Sequence, residues 1–188
     1  MTLPNLITLG RFALVPLALW CIQADRWLAA FWVFAAAGAS DAVDGYLARR
    51  LNLRSPLGAV LDPLADKVLL VSLFVMLGAH GVVPAWLVVL VVGRDLLIVA
   101  AVGVLWWRAG RLPPIAPLLL AKINTAVQIA FVALILFLRG LDALPAGLSL
   151  AGSLLVAGLT IASAAAYVRA DMQRRAGSRA EAGRERLP

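Results

Sequence analysis

Charged residues are scarce in this chain, and cysteine and histidine are almost absent. Only 14% of the 188 residues are charged and 63% are hydrophobic, which is about half the charge of an ordinary soluble domain. This balance argues against a water-soluble globule. The single Cys21 excludes a disulfide framework within the chain, and a metal-thiolate site is not expected. The single His80 lies between two glycines at an apparent helix end, where we expect a loop residue rather than a metal ligand.

Long apolar runs recur along nearly the whole sequence. A bilayer is crossed by about 20 helical residues, and the runs predict an all-α, polytopic membrane protein with six transmembrane helices. The predicted spans are residues 1–22, 27–47, 57–77, 85–107, 115–138 and 146–168. We therefore expect one six-helix transmembrane domain over residues 1–168 and a charged tail over residues 169–188.

The net charge of +7 would suit either nucleic-acid binding or a cytoplasmic membrane face. With six spans, both termini and the even-numbered loops lie on one side of the membrane. Eleven arginines lie on that side and two on the other, a bias typical of a cytoplasmic face. We therefore expect cytoplasmic termini, membrane lipids rather than nucleic acid as partners, and, without a transit peptide before the first span, a bacterial cytoplasmic membrane. The eleven are Arg49, Arg50, Arg54, Arg108, Arg111, Arg169, Arg174, Arg175, Arg179, Arg184 and Arg186, and the two are Arg26 and Arg139.

Four aspartates lie at the cytoplasmic ends of the second and third predicted spans. Asp41 and Asp44 are three residues apart, and Asp62 and Asp66 are four apart, so each pair projects from one face of its helix. Four unpaired carboxylates would repel one another, whereas two divalent cations would neutralise them. Because oxygen ligands favour Mg²⁺ or Mn²⁺, the pattern predicts a two-metal centre that opens to the cytoplasm.

The residues around these aspartates suit a phosphate ligand. Gly45 and Gly58 leave room for a ligand or another backbone to come close, and Arg49 is placed for a phosphate oxygen. The combination predicts a bridging diphosphate whose departing charge is stabilised by metals and arginine. Alternatively, the two glycines could serve helix packing and the arginine could contact lipid headgroups. That alternative explains each residue by itself but not the occurrence of all three together.

The stretch from Asp41 to Asp66 matches the pattern D-x2-D-G-x2-A-R-x8-G-x3-D-x3-D at all eight specified positions. It resembles the signature of the CDP-alcohol phosphatidyltransferases, and the six-span layout is similar to that family. The resemblance implies transfer of a phosphatidyl group from CDP-diacylglycerol to an acceptor hydroxyl, with release of CMP. It also implies that the four aspartates hold two Mg²⁺ or Mn²⁺ ions and that Asp66 is the general base. The implied CDP-binding residues are Asn5, Gly45, Arg49, Ser55 and Gly58.

The acceptor alcohol stays open on the sequence. Residues 4–8, Arg11 and residues 61–67 resemble phosphatidylglycerophosphate synthases, which use glycerol-3-phosphate, whereas residues 93–95 and 122–128 resemble CMP-forming cardiolipin synthases, which use phosphatidylglycerol. Another alcohol, such as inositol phosphate or serine, is a further alternative. Both glycerol-based acceptors carry a phosphate that cationic side chains could bind. The alternative role for the cations inside the predicted spans is an internal ion pair with Asp95. The acceptor-phosphate candidates are Arg94, Arg111 and Lys122.

The fifth and sixth predicted spans each carry residues at a regular helical spacing. Lys122, Thr125 and Gln128 recur at threefold spacing and predict a polar stripe on the fifth span. Small residues at every fourth position over 158–166 are compatible with packing inside the chain or with a homodimer.

A divalent-cation transporter is a different class of function, since intramembrane carboxylates also occur in such proteins. Here the carboxylates cluster near one face, and the sequence shows no repeated halves.

Overall fold

The structure is a computed structural model that describes the backbone of residues 3–51, 58–109 and 119–184, and the side chains of residues 13–40, 67–100, 119–166 and 169. These backbone segments form six α-helices and contain no strand. The helices are α1 (Leu3–Gln23), α2 (Trp27–Leu51), α3 (Gly58–Ala79), α4 (Ala85–Ala109), α5 (Leu119–Gly140) and α6 (Leu148–Arg184).

The all-α prediction is confirmed, and the helices follow the order of the six predicted spans. An α-helix satisfies its own backbone hydrogen bonds, which is the requirement that lipid imposes on an apolar segment. In the part of the chain with described side chains, two helical segments are long and apolar enough to cross a membrane, Leu119–Gly140 and Leu148–Ala166. Shorter apolar segments occur at Ala13–Gln23, Trp27–Ser40 and Lys67–Ala79. Six membrane crossings therefore stay a prediction.

The last helix is longer than the apolar pattern predicts. The sixth predicted span ends at residue 168, whereas α6 continues to Arg184. Residues 169–184 are rich in alanine and arginine, which are strong helix formers. The charged tail therefore begins as a helical extension of the apolar segment.

The chain divides into two compact units. Unit 1 comprises residues 1–88 and 129–153, and unit 2 comprises residues 89–128 and 154–188. Unit 1 contains α1, α2, α3 and the four aspartates of the motif. Unit 2 contains most of α4 and α6 and the first part of α5, with Arg94 and Lys122.

Unit 1 has an apolar core. Ile22 of α1, Phe74 of α3 and Ile135 of α5 are completely buried. The ring of Phe74 lies 6.4 Å from the ring of Phe131, centroid to centroid. Cys21 of α1 is buried as a free thiol.

The end of unit 1 at which α2 begins is held by contacts to one tryptophan. Trp27 is buried, and its ring meets the ring of His80 edge to face with the centroids 5.5 Å apart. The guanidinium of Arg139 lies 5.6 Å from the centre of the Trp27 ring, within the range of a cation–π interaction. His80 occupies the turn after α3, and its Nδ1 lies 3.0 Å from the carbonyl oxygen of Met76. The prediction that His80 is a loop residue is confirmed.

Candidate active site and a buried polar cluster

The motif aspartates lie on two consecutive helices of unit 1. Asp41 and Asp44 belong to the last three turns of α2, and Asp62 and Asp66 to the first three turns of α3. A spacing of three or four residues within a continuous helix keeps each pair on one face. Only residues 52–57 separate the two helices along the chain, and the convergence of the four carboxylates stays a prediction.

Most of the predicted site residues have side chains outside the described part of the structure. For the four aspartates, Asn5, Gly45, Arg49 and Gly58, the helical backbone alone is described. Ser55 and Arg111 lie outside the described residues altogether. Among the described side chains, no group of three His, Cys, Asp or Glu could hold a metal ion. The metal centre therefore stays a prediction from the motif, whose four carboxylates supply the all-oxygen donor set that Mg²⁺ and Mn²⁺ prefer.

A second group of polar residues is fully described and lies inside unit 2. It begins with Arg94 and Asp95 of α4, each of which is 8% exposed. Arg94 Nη1 donates a hydrogen bond of 2.7 Å to Asp95 Oδ1, so the two charges form a buried ion pair. Arg94 Nη2 donates to Ser163 Oγ of α6 over 3.0 Å. Arg94 is thus bound to its own helix and to α6 at the same time.

The group continues one turn earlier on α6. The hydroxyl of Thr160 donates to Asn124 Oδ1 over 3.0 Å and accepts a bond of 3.3 Å from Gln128 Nε2. These three residues are at most 1% exposed. Because Thr160 and Ser163 are three residues apart on one helix, they present neighbouring hydroxyl groups on the same face. Polar side chains from α4 and α5 therefore converge on one face of α6.

Two hydrogen-bond donors in this polar cluster lack a protein acceptor. Arg94 Nε and Asn124 Nδ2 are buried without a hydrogen-bond partner. Buried donors are paired in the great majority of native proteins, and leaving one unpaired costs about 1 to 3 kcal/mol. Both atoms are accordingly suited to bind an oxygen supplied by a ligand or by water.

The polar stripe predicted on the fifth span is corrected by the structure. Lys122 and Thr125 are exposed, and the Thr125 hydroxyl donates to the carbonyl oxygen of Ala121 in the preceding turn, 3.1 Å away. The buried polar face instead carries Asn124 and Gln128, four residues apart. The threefold spacing identified Gln128 as a polar residue of α5, but it could not show which side of the helix is buried, because that depends on the neighbouring helices.

Of the acceptor-phosphate candidates, Arg94 is buried and Lys122 is exposed.

Sequence reasoning missed Thr160 and Ser163. The available signal was the presence of two hydroxyl residues three apart in an otherwise apolar helix, since intramembrane hydroxyls often bond across helices.

The small-residue pattern of the same helix includes Gly158. Within the described part of the chain, Gly158 is exposed, and a Cβ atom placed there would meet nothing within 4 Å. Intramolecular packing therefore does not explain this glycine, and the homodimer stays a prediction.

Comparisons with known proteins agree with the motif. The family model described as CDP-alcohol phosphatidyltransferase matches residues 1–167. A CMP-forming cardiolipin synthase of Rattus norvegicus is 35% identical over 147 residues, covering 70% of this chain and 49% of that protein. A CMP-forming cardiolipin synthase of Streptomyces coelicolor is 40% identical over 122 residues, covering 61% of this chain and 55% of that protein.

A third relative is named for a different activity. The chloroplastic CDP-diacylglycerol–glycerol-3-phosphate 3-phosphatidyltransferase 1 of Oryza sativa subsp. japonica is 37% identical over 151 residues, covering 71% of this chain and 45% of that protein. The chain spans about half the length of the curated relatives it matches. Since the family model extends over nearly the whole length, from the first helix into the sixth, this chain belongs to the CDP-alcohol phosphatidyltransferase family.

Proposed function

We propose that this chain is a membrane enzyme of phospholipid biosynthesis that transfers a phosphatidyl group from CDP-diacylglycerol to the hydroxyl of a glycerol-based anionic acceptor. The acceptor is glycerol-3-phosphate, which gives phosphatidylglycerophosphate, or phosphatidylglycerol, which gives cardiolipin. The observation that carries the proposal is the complete eight-position motif on the consecutive helices α2 and α3. The match of the family model over residues 1–167 supports it.

The four aspartates are proposed to hold two divalent cations, Mg²⁺ or Mn²⁺. Asp41 and Asp44 of α2 and Asp62 and Asp66 of α3 would hold the ions. Ions held there would supply positive charge to neutralise the diphosphate of CDP-diacylglycerol and the charge that departs with CMP. Arg49, the cation among the specified positions of the motif, is proposed to bind a phosphate oxygen.

The remaining motif residues bind the cytidine diphosphate group and accept a proton. Asn5, Gly45, Arg49, Ser55 and Gly58 contact or make room for the nucleotide. Asp66 takes the proton of the acceptor hydroxyl as the hydroxyl oxygen bonds to the phosphatidyl phosphorus. The bond from that phosphorus to the bridging oxygen breaks, and CMP leaves with the bonding electron pair.

The acceptor phosphate is proposed to bind cationic side chains outside the motif. The candidates are Arg94, Arg111 and Lys122. Arg94 is already paired with Asp95, and its buried Nε takes part in no described hydrogen bond. The named relatives include enzymes of both kinds, cardiolipin synthases and a glycerol-3-phosphate phosphatidyltransferase, so both acceptors belong to the proposal.

The enzyme is proposed to lie in a bacterial cytoplasmic membrane with its active site and termini on the cytoplasmic side.

The proposal is tested with radiolabelled CDP-diacylglycerol and the full chain in detergent. Glycerol-3-phosphate and phosphatidylglycerol are supplied in separate reactions with Mg²⁺ or Mn²⁺, and Asp66→Asn is the control. We expect CMP release that requires both metal and one of the two acceptors, and loss of at least about a hundredfold in Asp66→Asn. Release with serine or inositol phosphate alone would replace the acceptor assignment. A folded protein that releases CMP with none of these alcohols would refute the proposed chemistry.

The acceptor-phosphate role has its own test. Arg94→Ala and Lys122→Ala are assayed at saturating CDP-diacylglycerol over a range of acceptor concentrations. If a side chain binds the acceptor phosphate, its removal raises the acceptor KM by about tenfold or more, as expected for loss of a charged hydrogen bond. An unchanged acceptor KM in a variant would remove that residue from the acceptor site.

A further inference from the structure

Ser163 is a buried hydroxyl on α6 whose described partner is a cation. Its side chain is completely buried, and its Oγ accepts a hydrogen bond of 3.0 Å from Arg94 Nη2. Ser163 and Arg94 are separated by 69 positions along the chain. The contact is therefore a tertiary one that joins α4 to α6 inside unit 2.

The ion pair with Asp95 leaves the orientation of Arg94 incompletely determined. Adjacent residues on a helix point in different directions, so the guanidinium must bend along the helix surface to place Nη1 2.7 Å from Asp95 Oδ1. One hydrogen bond allows the planar group to rotate about it. The second bond, from Nη2 to Ser163, adds to the bond at Nη1 and the covalent link at Nε, and three held points fix the plane of the group.

With both terminal nitrogens engaged, the plane of the guanidinium determines where the third nitrogen points. Arg94 Nε is buried and has no hydrogen-bond partner, although arginine N–H groups are strong donors to phosphate oxygens. The buried amide nitrogen of Asn124 is also unpaired, and Asn124 bonds Thr160 one turn before Ser163. The unpaired donors thus occur beside the two hydroxyl groups that α6 contributes.

We propose that Ser163 is a positioning residue, which orients Arg94 so that Nε is directed to an anionic oxygen of the acceptor. This inference rests on the proposed function, in which the acceptor carries a phosphate. Ser163 acts through Arg94 and takes no part in bond making. Its loss leaves the charge of Arg94 in place but lets the guanidinium rotate, which weakens acceptor binding and spares CDP-diacylglycerol binding.

Two other residues of α6 provide controls. Ser153 is completely buried, and its hydroxyl has no hydrogen-bond partner, so Ser153→Ala changes the same atoms without breaking a described bond. Thr160 bonds the uncharged amides of Asn124 and Gln128, so Thr160→Val removes a polar contact of the same helix that does not involve Arg94.

The experiment measures kcat and both Michaelis constants for Ser163→Ala, Ser163→Thr and Ser163→Cys, with whichever acceptor the wild-type chain uses. Threonine keeps the hydroxyl, whereas cysteine keeps approximately the volume and offers only a weak acceptor. We expect the acceptor KM to rise about tenfold in the Ala and Cys variants, with kcat and the CDP-diacylglycerol KM changed less than about twofold. Ser163→Thr is expected to restore most of the acceptor affinity, and Ser153→Ala to match the wild type.

Combining Ser163→Ala with Arg94→Lys distinguishes positioning from a general structural role. If Ser163 acts through Arg94, the serine substitution adds less than about twofold to the acceptor KM in the Arg94→Lys background. An equal rise in both backgrounds, or an unchanged KM in the Ala and Cys variants, would overturn the inference while leaving the proposed function intact. A wild-type chain that uses neither glycerol-based acceptor would instead refute the proposed function, and this inference with it.

Discussion

The two units of the molecule differ in the polarity of their buried side chains. In unit 1 the completely buried side chains include Ile22, Leu73, Phe74, Leu77, Val132, Ile135 and Leu136. In unit 2 they include Val91 and Val156 together with the polar residues Asn124, Gln128, Thr160 and Ser163, and Arg94 and Asp95 are nearly as buried. Of the buried polar residues among the described side chains, only Ser153 belongs to unit 1.

This difference indicates a division of tasks. Apolar side chains keep helices together by close packing without requiring particular partners. A buried ion pair is seldom more stabilising than apolar residues of similar size, because both charges must leave water. The polar cluster of unit 2 is therefore not expected to stabilise the fold more than apolar residues of similar size would. Its two unpaired donors favour a role in ligand binding, which is the role proposed above for Arg94.

The largest expected effect on stability is in the core of unit 1. Phe74→Ala removes a completely buried ring that lies 6.4 Å from the ring of Phe131. Because the surrounding helices only partly close the cavity, we expect a loss of about 3 to 5 kcal/mol in unfolding free energy, measured by denaturant titration in detergent. Phe74→Leu, which keeps much of the volume, should lose less than half as much. A loss of less than about 1 kcal/mol in Phe74→Ala would show that the unit 1 core is not tightly packed.

A smaller loss is expected where two helices of unit 1 approach each other closely. A Cβ atom on Gly140 would lie 2.5 Å from the backbone nitrogen of Leu28, and a backbone atom cannot rotate away. We expect Gly140→Ala to lower the unfolding free energy by about 1 to 3 kcal/mol. Gly38→Ala is the matched control, since a Cβ atom there meets nothing within 4 Å and alanine favours the helix. A neutral Gly140→Ala would mean that α2 and α5 separate easily at this point.

The smallest effect on stability is expected in unit 2. Thr160→Val keeps the shape of the side chain but leaves Asn124 Oδ1 and Gln128 Nε2 without their described partner. We expect a loss of about 1 to 2 kcal/mol in the same titration, and almost none for Ser153→Ala, whose hydroxyl has no partner. A loss as large as that of Phe74→Ala would contradict the division of tasks, because the polar cluster would then be a principal source of stability.

The sequence was most informative where the signal is local. Six apolar runs predicted the order of α1 to α6, and the spacing of Asp41, Asp44, Asp62 and Asp66 placed the motif on consecutive helices. Both depend on helical periodicity, which a short window of residues reveals. Prediction was weaker for Lys122 and Thr125, which are exposed although the spacing suggested a polar stripe shared with Gln128. Periodicity shows which residues share a face but not what that face contacts.

By itself the sequence determined the all-α class, the family and the positions of its aspartate motif, because each follows from residue type and spacing along one or two helices. The tertiary structure decided which polar groups are buried together. The pairing of Arg94 with Ser163, 69 positions away, and the bonds from Thr160 to α5 depend on how α4, α5 and α6 are rotated about their own axes. That rotation is set by packing among distant parts of the chain, and no local pattern specifies it.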